Sequence, residues 1–170
     1  MSVNFVEEIP LNFHINLFQV SVDYKKMSDE ILSSDLTRMT NNPSSTFSED
    51  SYFHTPPGSE SEKFQNIIFD FFKENNYKLL HTWAHIHKPL ESTHLHFHGD
   101  DTKQLSFVFY AKVDEKSGKL VFNIEKFYHQ MFYPKVGNLL VFPSWLPHYV
   151  TKNLSTETRI SISGNVYPIE

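Results

Sequence analysis

The sequence predicts a mainly β protein with N-terminal helices, folded as a double-stranded β-helix, a jelly roll of the cupin-like kind. Three observations lead there. From Tyr77 onward apolar residues recur with a period of two, in short runs separated by turn signals. Before Tyr77 the clearest periodicity is helical instead. The 170 residues are 39% hydrophobic and 15% aromatic, enough for one well-filled core, and show no internal repeat. The chain is therefore expected to form a single domain over 1–170. Residues 1–76 supply helical and loop support, and 77–170 form the jelly-roll core that carries the site.

The elements follow in order. Residues 12–22 alternate loosely and end as a strand at Phe18-Gln-Val20-Ser-Val22. Tyr24, Met27, Ile31 and Leu32 then fall at helical spacing, with Asp23 placed to cap them. Thr37 to Pro57 is rich in Ser, Thr, Asn and Pro and reads as a long loop, either a substrate lid or a surface excursion. Ser59 and Glu62 form a capping box. Behind it, Phe64, Ile67, Ile68, Phe71 and Phe72 make one apolar helical face, ended by Asn75-Asn76. The predicted strands are then 79–87, 94–98, 105–113, 120–124, 139–142, 148–151 and 158–166.

Composition narrows the chemistry. There are no cysteines, which removes disulfides, thiolate metal sites and cysteine nucleophiles. A net charge of −5 gives no global basic field for nucleic acid. No stretch approaches the ~20 apolar residues of a membrane span, and the acidic start does not read as a signal peptide. The expectation is a cytoplasmic protein, soluble and intracellular.

Six of the ten histidines lie between His81 and His98. On a strand, positions two apart share a face, so His85 and His87 point together. His94, His96, His98 and Asp100 do so as well if their strand stays regular. Few structural needs place so many imidazoles on one face, so the cluster reads as metal-binding. Two histidines and one carboxylate are the protein ligands of a mononuclear non-haem Fe(II) site. His98, Asp100 and His148 make such a set. The rival is an all-imidazole cupin-type set of His96, His98 and His148. Arg159 stands eleven residues after His148, and its guanidinium can grip a carboxylate in a bidentate way. Arg159, Ser161 and Ser163 share one strand face, with Ile160 and Ile162 on the other. Tyr110 could share the same carboxylate or simply fill the core. Trp83 is placed to line the pocket, Trp145 to fix the loop before His148, and Asn165 to orient a ligand or satisfy backbone groups.

These residues resemble the 2-oxoglutarate–Fe(II) oxygenases, specifically small ones of phages and marine bacteria that are distant relatives of the prolyl 4-hydroxylases. The similarity runs through Trp83, His98-Gly-Asp100, Ser106-Phe-Val-Phe-Tyr110, Gly118-Lys-Leu120, Gly137 to His148, and Arg159 to Asn165. Counting back from Ser106 selects His98 and Asp100; counting forward from Trp83 selects His96 and His98. The chain departs from the pattern at His85, His87 and Phe107. The resemblance implies a dioxygenase using Fe(II) and 2-oxoglutarate, hydroxylating a peptide or small molecule with release of succinate and CO2. Iron would sit on His98, Asp100 and His148, with Arg159, Ser161 and Tyr110 on the co-substrate. The alternatives are a cupin-like metal enzyme without a 2-oxo acid and a non-catalytic jelly-roll binding protein.

Overall fold

The computed structural model describes residues 3–10, 13–33, 56–125 and 128–169. Among these residues, ten strands and two helices follow in the order β1 (Val3–Pro10), β2 (His14–Val20), α1 (Tyr24–Ser33), α2 (Glu60–Glu74), β3 (Tyr77–His87), β4 (Thr93–His96), β5 (Leu105–Lys112), β6 (Leu120–Glu125), β7 (Tyr128–Phe132), β8 (Asn138–Pro143), β9 (His148–Val150) and β10 (Arg159–Pro168). All but the last two residues of the expected loop from Thr37 to Pro57 lie outside the described residues.

The helices start where the sequence places their caps. Asp23 Oδ1 accepts from Lys26 N at 3.0 Å. Ser59 Oγ accepts from Glu62 N at 3.0 Å. Glu62 reaches back to Gly58 N rather than to Ser59 N, so the box closes one residue early. Glu30 of α1 ties the two helices together, accepting from Glu60 N and Ser61 N at 3.0 and 2.9 Å. Those are amides that the first turn of α2 leaves without helical partners.

Two antiparallel sheets form the body. The larger runs β1-β2-β8-β5-β10-β3 and the smaller β4-β9-β6-β7. Period-two alternation assigns each strand's faces. Phe107, Phe109, Ile160, Ile162 and Ala84 look out toward the helices, packing with Met27, Ile31, Phe64, Ile68 and Phe72. Val108, Tyr110, Leu140 and Phe142 look inward and meet Leu120, Phe122, Phe132 and Val150 of the smaller sheet. Burying each such large side chain is worth about 1.5–3 kcal/mol. This mainly β body, braced by helices on one outer face, is the double-stranded β-helix.

The N-terminal part does more than brace. β2 pairs with β8 through Asn16↔Val141 to Gln19↔Asn138, and β1 adds an edge strand beyond it. β1 and β7 were not expected. Their apolar content is too mixed for a clean two-residue period, and pairing to a neighbour fixes them instead.

Candidate metal centre

The smaller sheet positions the histidines. His96 of β4 pairs directly with His148 of β9. The register slips between Thr93 and His96, so a bulge interrupts the regular alternation expected from His94 to Asp100. Thr93 and His96 face inward, and His94 is turned out to solvent. Past the strand end, His98 is held by its backbone N–H donating to Ser144 O at 2.9 Å. Gly99 then takes a φ of 137°, a conformation that L side chains rarely adopt. The extended run breaks there and Asp100 lies exposed.

The ligand atoms of His96, His98 and His148 all lie within 4.8 Å of one another. Their ring centroids are 4.4 Å apart for His96–His148, 4.9 Å for His96–His98 and 5.2 Å for His98–His148. Asp100 is not in this group. His98 and His148 thus come together as expected, but the third donor beside them is His96. The bulge takes His94 off the face that His96 and His98 share, and the turn at Gly99 ends the alternation before Asp100, which is exposed.

The donors suit a divalent transition metal. His96 Nδ1 bonds His94 O at 2.7 Å and His148 Nδ1 bonds Leu146 O at 2.8 Å. With a carbonyl as partner, each Nδ1 carries the proton and each Nε2 keeps its lone pair for a metal. Burial holds His98 and His148 down to a pKa of about 3, and lowers His96. Near neutral pH all three are uncharged, the form that ligates.

Arg159 stands beside this centre as a fully enclosed cation, 1% exposed. Its Nε donates to Gly118 O at 3.2 Å and its Nη1 to Ser161 Oγ at 2.9 Å, with His87 Nδ1 also 3.2 Å from Nη1. All three partners are neutral, and among the described residues Nη2 is buried without a partner. The guanidinium carbon lies 5.2 Å from the ring centre of Tyr110, whose buried hydroxyl makes no well-aligned hydrogen bond among the described residues but lies close enough to the guanidinium to interact with its charge. Burial pushes the Tyr110 phenol up to about 12, so it remains a proton donor. Arg159, Ser161, His96, His98 and His148 line one cavity. A buried cation with spare Nη2 donors, lining the cavity of the three imidazoles, is suited to an anion; Tyr110 stands beside it and is not among the lining residues.

The other candidates have local roles. Asn165 accepts from Ser106 Oγ at 2.7 Å and bonds His81 Nε2 at 2.9 Å, which joins β5, β10 and β3. Trp145 packs edge-on against Phe13 and fixes its loop. Trp83 donates to His85 Nε2 at 2.7 Å and lies 5.4 Å from the His98 ring. His85 and His87 stack at 5.8 Å, on one face as the spacing predicts. Sequence reasoning missed the contact of His87 with Arg159. The register Arg159↔His87 makes them neighbours, and no sequence signal marks a pairing between strands so far apart in the chain.

Residues 123–165 match a family model described as "Putative 2OG-Fe(II) oxygenase". No curated protein matches the chain in sequence. Among solved structures, a Pseudomonas putida prolyl-4-hydroxylase is similar at 15% identity and a TM-score of 0.61, with 87% of this chain and 86% of that one covered. A Trichoplax adhaerens prolyl hydroxylase, in complex with a peptide fragment of the hypoxia inducible factor oxygen degradation domain, is similar at 13% identity and a TM-score of 0.68, covering 91% and 83%. HygX from Streptomyces hygroscopicus, with nickel, 2-oxoglutarate and hygromycin B bound, is similar at 9% identity and a TM-score of 0.67, covering 91% and 82%. The chain therefore has the double-stranded β-helix fold of the 2-oxoglutarate–Fe(II) oxygenases, and its segment 123–165 matches a model of that family.

Proposed function

We propose that the chain is an Fe(II)- and 2-oxoglutarate-dependent dioxygenase whose metal is held by His96, His98 and His148. The observation that carries the co-substrate is Arg159, a fully buried cation with neutral partners and a free Nη2, lining the same cavity as the three imidazoles. A cupin-type enzyme without an oxo acid has no use for that cation.

Iron and 2-oxoglutarate would supply oxidative decarboxylation, yielding succinate and CO2, coupled to hydroxylation of a substrate C–H bond. The chain's own residues bind and orient. Arg159 Nη2 and the Tyr110 hydroxyl receive the distal carboxylate, and Ser161 steadies the guanidinium. The apolar side chains Leu120, Phe142 and Val150 line the cavity and exclude water, which strengthens the ion pair. No side-chain acid or base is needed, and every buried imidazole here is held neutral.

The test is succinate formation from 2-oxoglutarate by the Fe(II)-loaded protein under oxygen. Structures of similar fold hold a peptide fragment in one case and hygromycin B in another, so the substrate screen covers peptides and small molecules. Succinate release that requires both iron and 2-oxoglutarate supports the reading. Metal binding with no 2-oxoglutarate binding overturns it in favour of the cupin-like alternative.

A further inference from the structure

His87 is fully buried on β3, directly across from Arg159 on β10. Both of its ring nitrogens are engaged. Nδ1 lies 3.2 Å from Arg159 Nη1, and Nε2 lies 2.7 Å from Thr93 Oγ1. A guanidinium can only donate, so Nδ1 must accept, and the single proton of the neutral ring sits on Nε2 and points at Thr93. Ser161 Oγ takes a second Nη1 hydrogen and Gly118 O takes the Nε hydrogen. These three acceptors take the Nε hydrogen and both Nη1 hydrogens, so the donors left over are those of Nη2, unpartnered among the described residues.

We propose that His87 is a positioning residue for the anion anchor, a neutral acceptor that turns Arg159 so that Nη2 is presented to the distal carboxylate of the oxo acid. This rests on the reading of Arg159 as that anchor. An acidic side chain at position 87 would hold the guanidinium more tightly, but it would also neutralise the charge the ligand needs. A neutral imidazole orients the cation and leaves its charge free. Thr93 completes the arrangement by holding the tautomer. It belongs to β4, the strand that also carries His96, so the anchor and the metal centre share one support.

Substitutions separate the two nitrogens. His87→Asn places its amide oxygen near the Nδ1 position and keeps an acceptor for Arg159. His87→Gln reaches toward Thr93 and loses that acceptor, and Thr93→Val removes the tautomer lock. Anaerobic titration of the Fe(II) protein with 2-oxoglutarate should show His87→Gln weakened about tenfold. His87→Asn should lie within about threefold of wild type, and Thr93→Val should fall between them. Metal affinity, measured without 2-oxoglutarate, should be unchanged in all three. In the metal-free wild type, 15N NMR should show His87 as the neutral ring protonated at Nε2. That measurement needs no variant to fold.

Arg159→Ala serves as the control for the parent reading. If it binds 2-oxoglutarate like wild type, the anchor assignment itself fails. If it weakens binding while His87→Gln does not, or if His87 is protonated at Nδ1, the positioning role fails and the anchor stands. Equal loss in His87→Asn and His87→Gln also overturns the proposal, because a purely structural role would not distinguish the two nitrogens.

Discussion

His96 and His148 face each other across the β4–β9 pair with ring centroids 4.4 Å apart, each with Nδ1 bonded to a backbone carbonyl two residues earlier. Two strands thus present two Nε2 lone pairs to one point, and His98 arrives from the loop beyond β4. His96→Ala, His98→Ala and His148→Ala should each abolish stoichiometric binding, which in the wild type is about one divalent metal per chain. Asp100→Ala should retain it. Metal analysis after anaerobic loading and desalting checks this. Loss in Asp100→Ala with retention in His96→Ala would return the third position to the carboxylate.

The placement of Asp100 outside the clustered imidazoles shows what the sequence could and could not carry. Period two placed Arg159 and Ser161 on one face with Ile160 and Ile162 on the other, because β10 is regular there. It placed Phe64, Ile68 and Phe72 on one helical face for the same reason. In the His94–Asp100 segment the spacing argument needed a regular strand, and the bulge and Gly99 broke it twice. A bulge answers to pairing with β9, about fifty residues on, so no local pattern announces it. The partners of Arg159, His87 across the β3–β10 pair and the loop carbonyl of Gly118, were hidden because they too are distant in the chain.

His87 should contribute to the acid stability of the metal-free protein. His87 is held at a pKa of about 3 by burial and then by the Arg159 charge, against about 6.5 in the unfolded chain. The unfolded state therefore takes up the proton first as pH falls. The stability from this group is present above pH ~6.5 and is lost progressively down toward pH 3, at up to ~1.4 kcal/mol per pH unit. Urea midpoints should fall steadily from pH 7 to pH 4.5, and His87→Asn should fall less steeply. A midpoint independent of pH across that window would contradict a neutral His87.

Gly118 couples stability to the anchor. A Cβ there would meet the Thr151 carbonyl oxygen at 2.3 Å, and backbone cannot yield cheaply. Gly118 O is also the acceptor for Arg159 Nε. Gly118→Ala should cost about 1–3 kcal/mol in denaturant melts and weaken 2-oxoglutarate binding as well. A stability loss with unchanged binding would separate this carbonyl from the anchor.

The helices are held to the larger sheet by aromatic packing, with Phe64 of α2 and Phe109 of β5 at 4.3 Å between ring centroids, both fully enclosed. Phe109→Ala should cost about 3–5 kcal/mol, read from the shift in urea midpoint. The metal ligands come from the smaller sheet and the loop beyond β4, not from the sheet the helices pack on. The folded fraction of the variant should therefore still bind metal, and loss of metal from folded protein would show that the helical layer supports the site directly.

Arg159 gives the most discriminating test of the proposed reaction. Its Nη2 and the Tyr110 hydroxyl are buried donors awaiting acceptors, and a carboxylate supplies two. A charge-assisted hydrogen bond in such a setting is worth ~1.5–3 kcal/mol, so Arg159→Ala should weaken 2-oxoglutarate binding roughly ten- to a hundredfold. Arg159→Lys keeps the charge and loses the planar group that Gly118, Ser161 and His87 orient, which places it between wild type and Arg159→Ala. Tyr110→Phe removes one neutral donor and should weaken binding by several-fold at most. None of the three should alter metal affinity, since neither side chain is among the clustered imidazoles. The measurement is an anaerobic titration of the Fe(II) protein, following the weak visible charge-transfer band of the chelate. A wild type without that band, or an Arg159→Ala variant that titrates like wild type, would remove 2-oxoglutarate from the account. The triad would then be left to a cupin-like chemistry that needs no oxo acid.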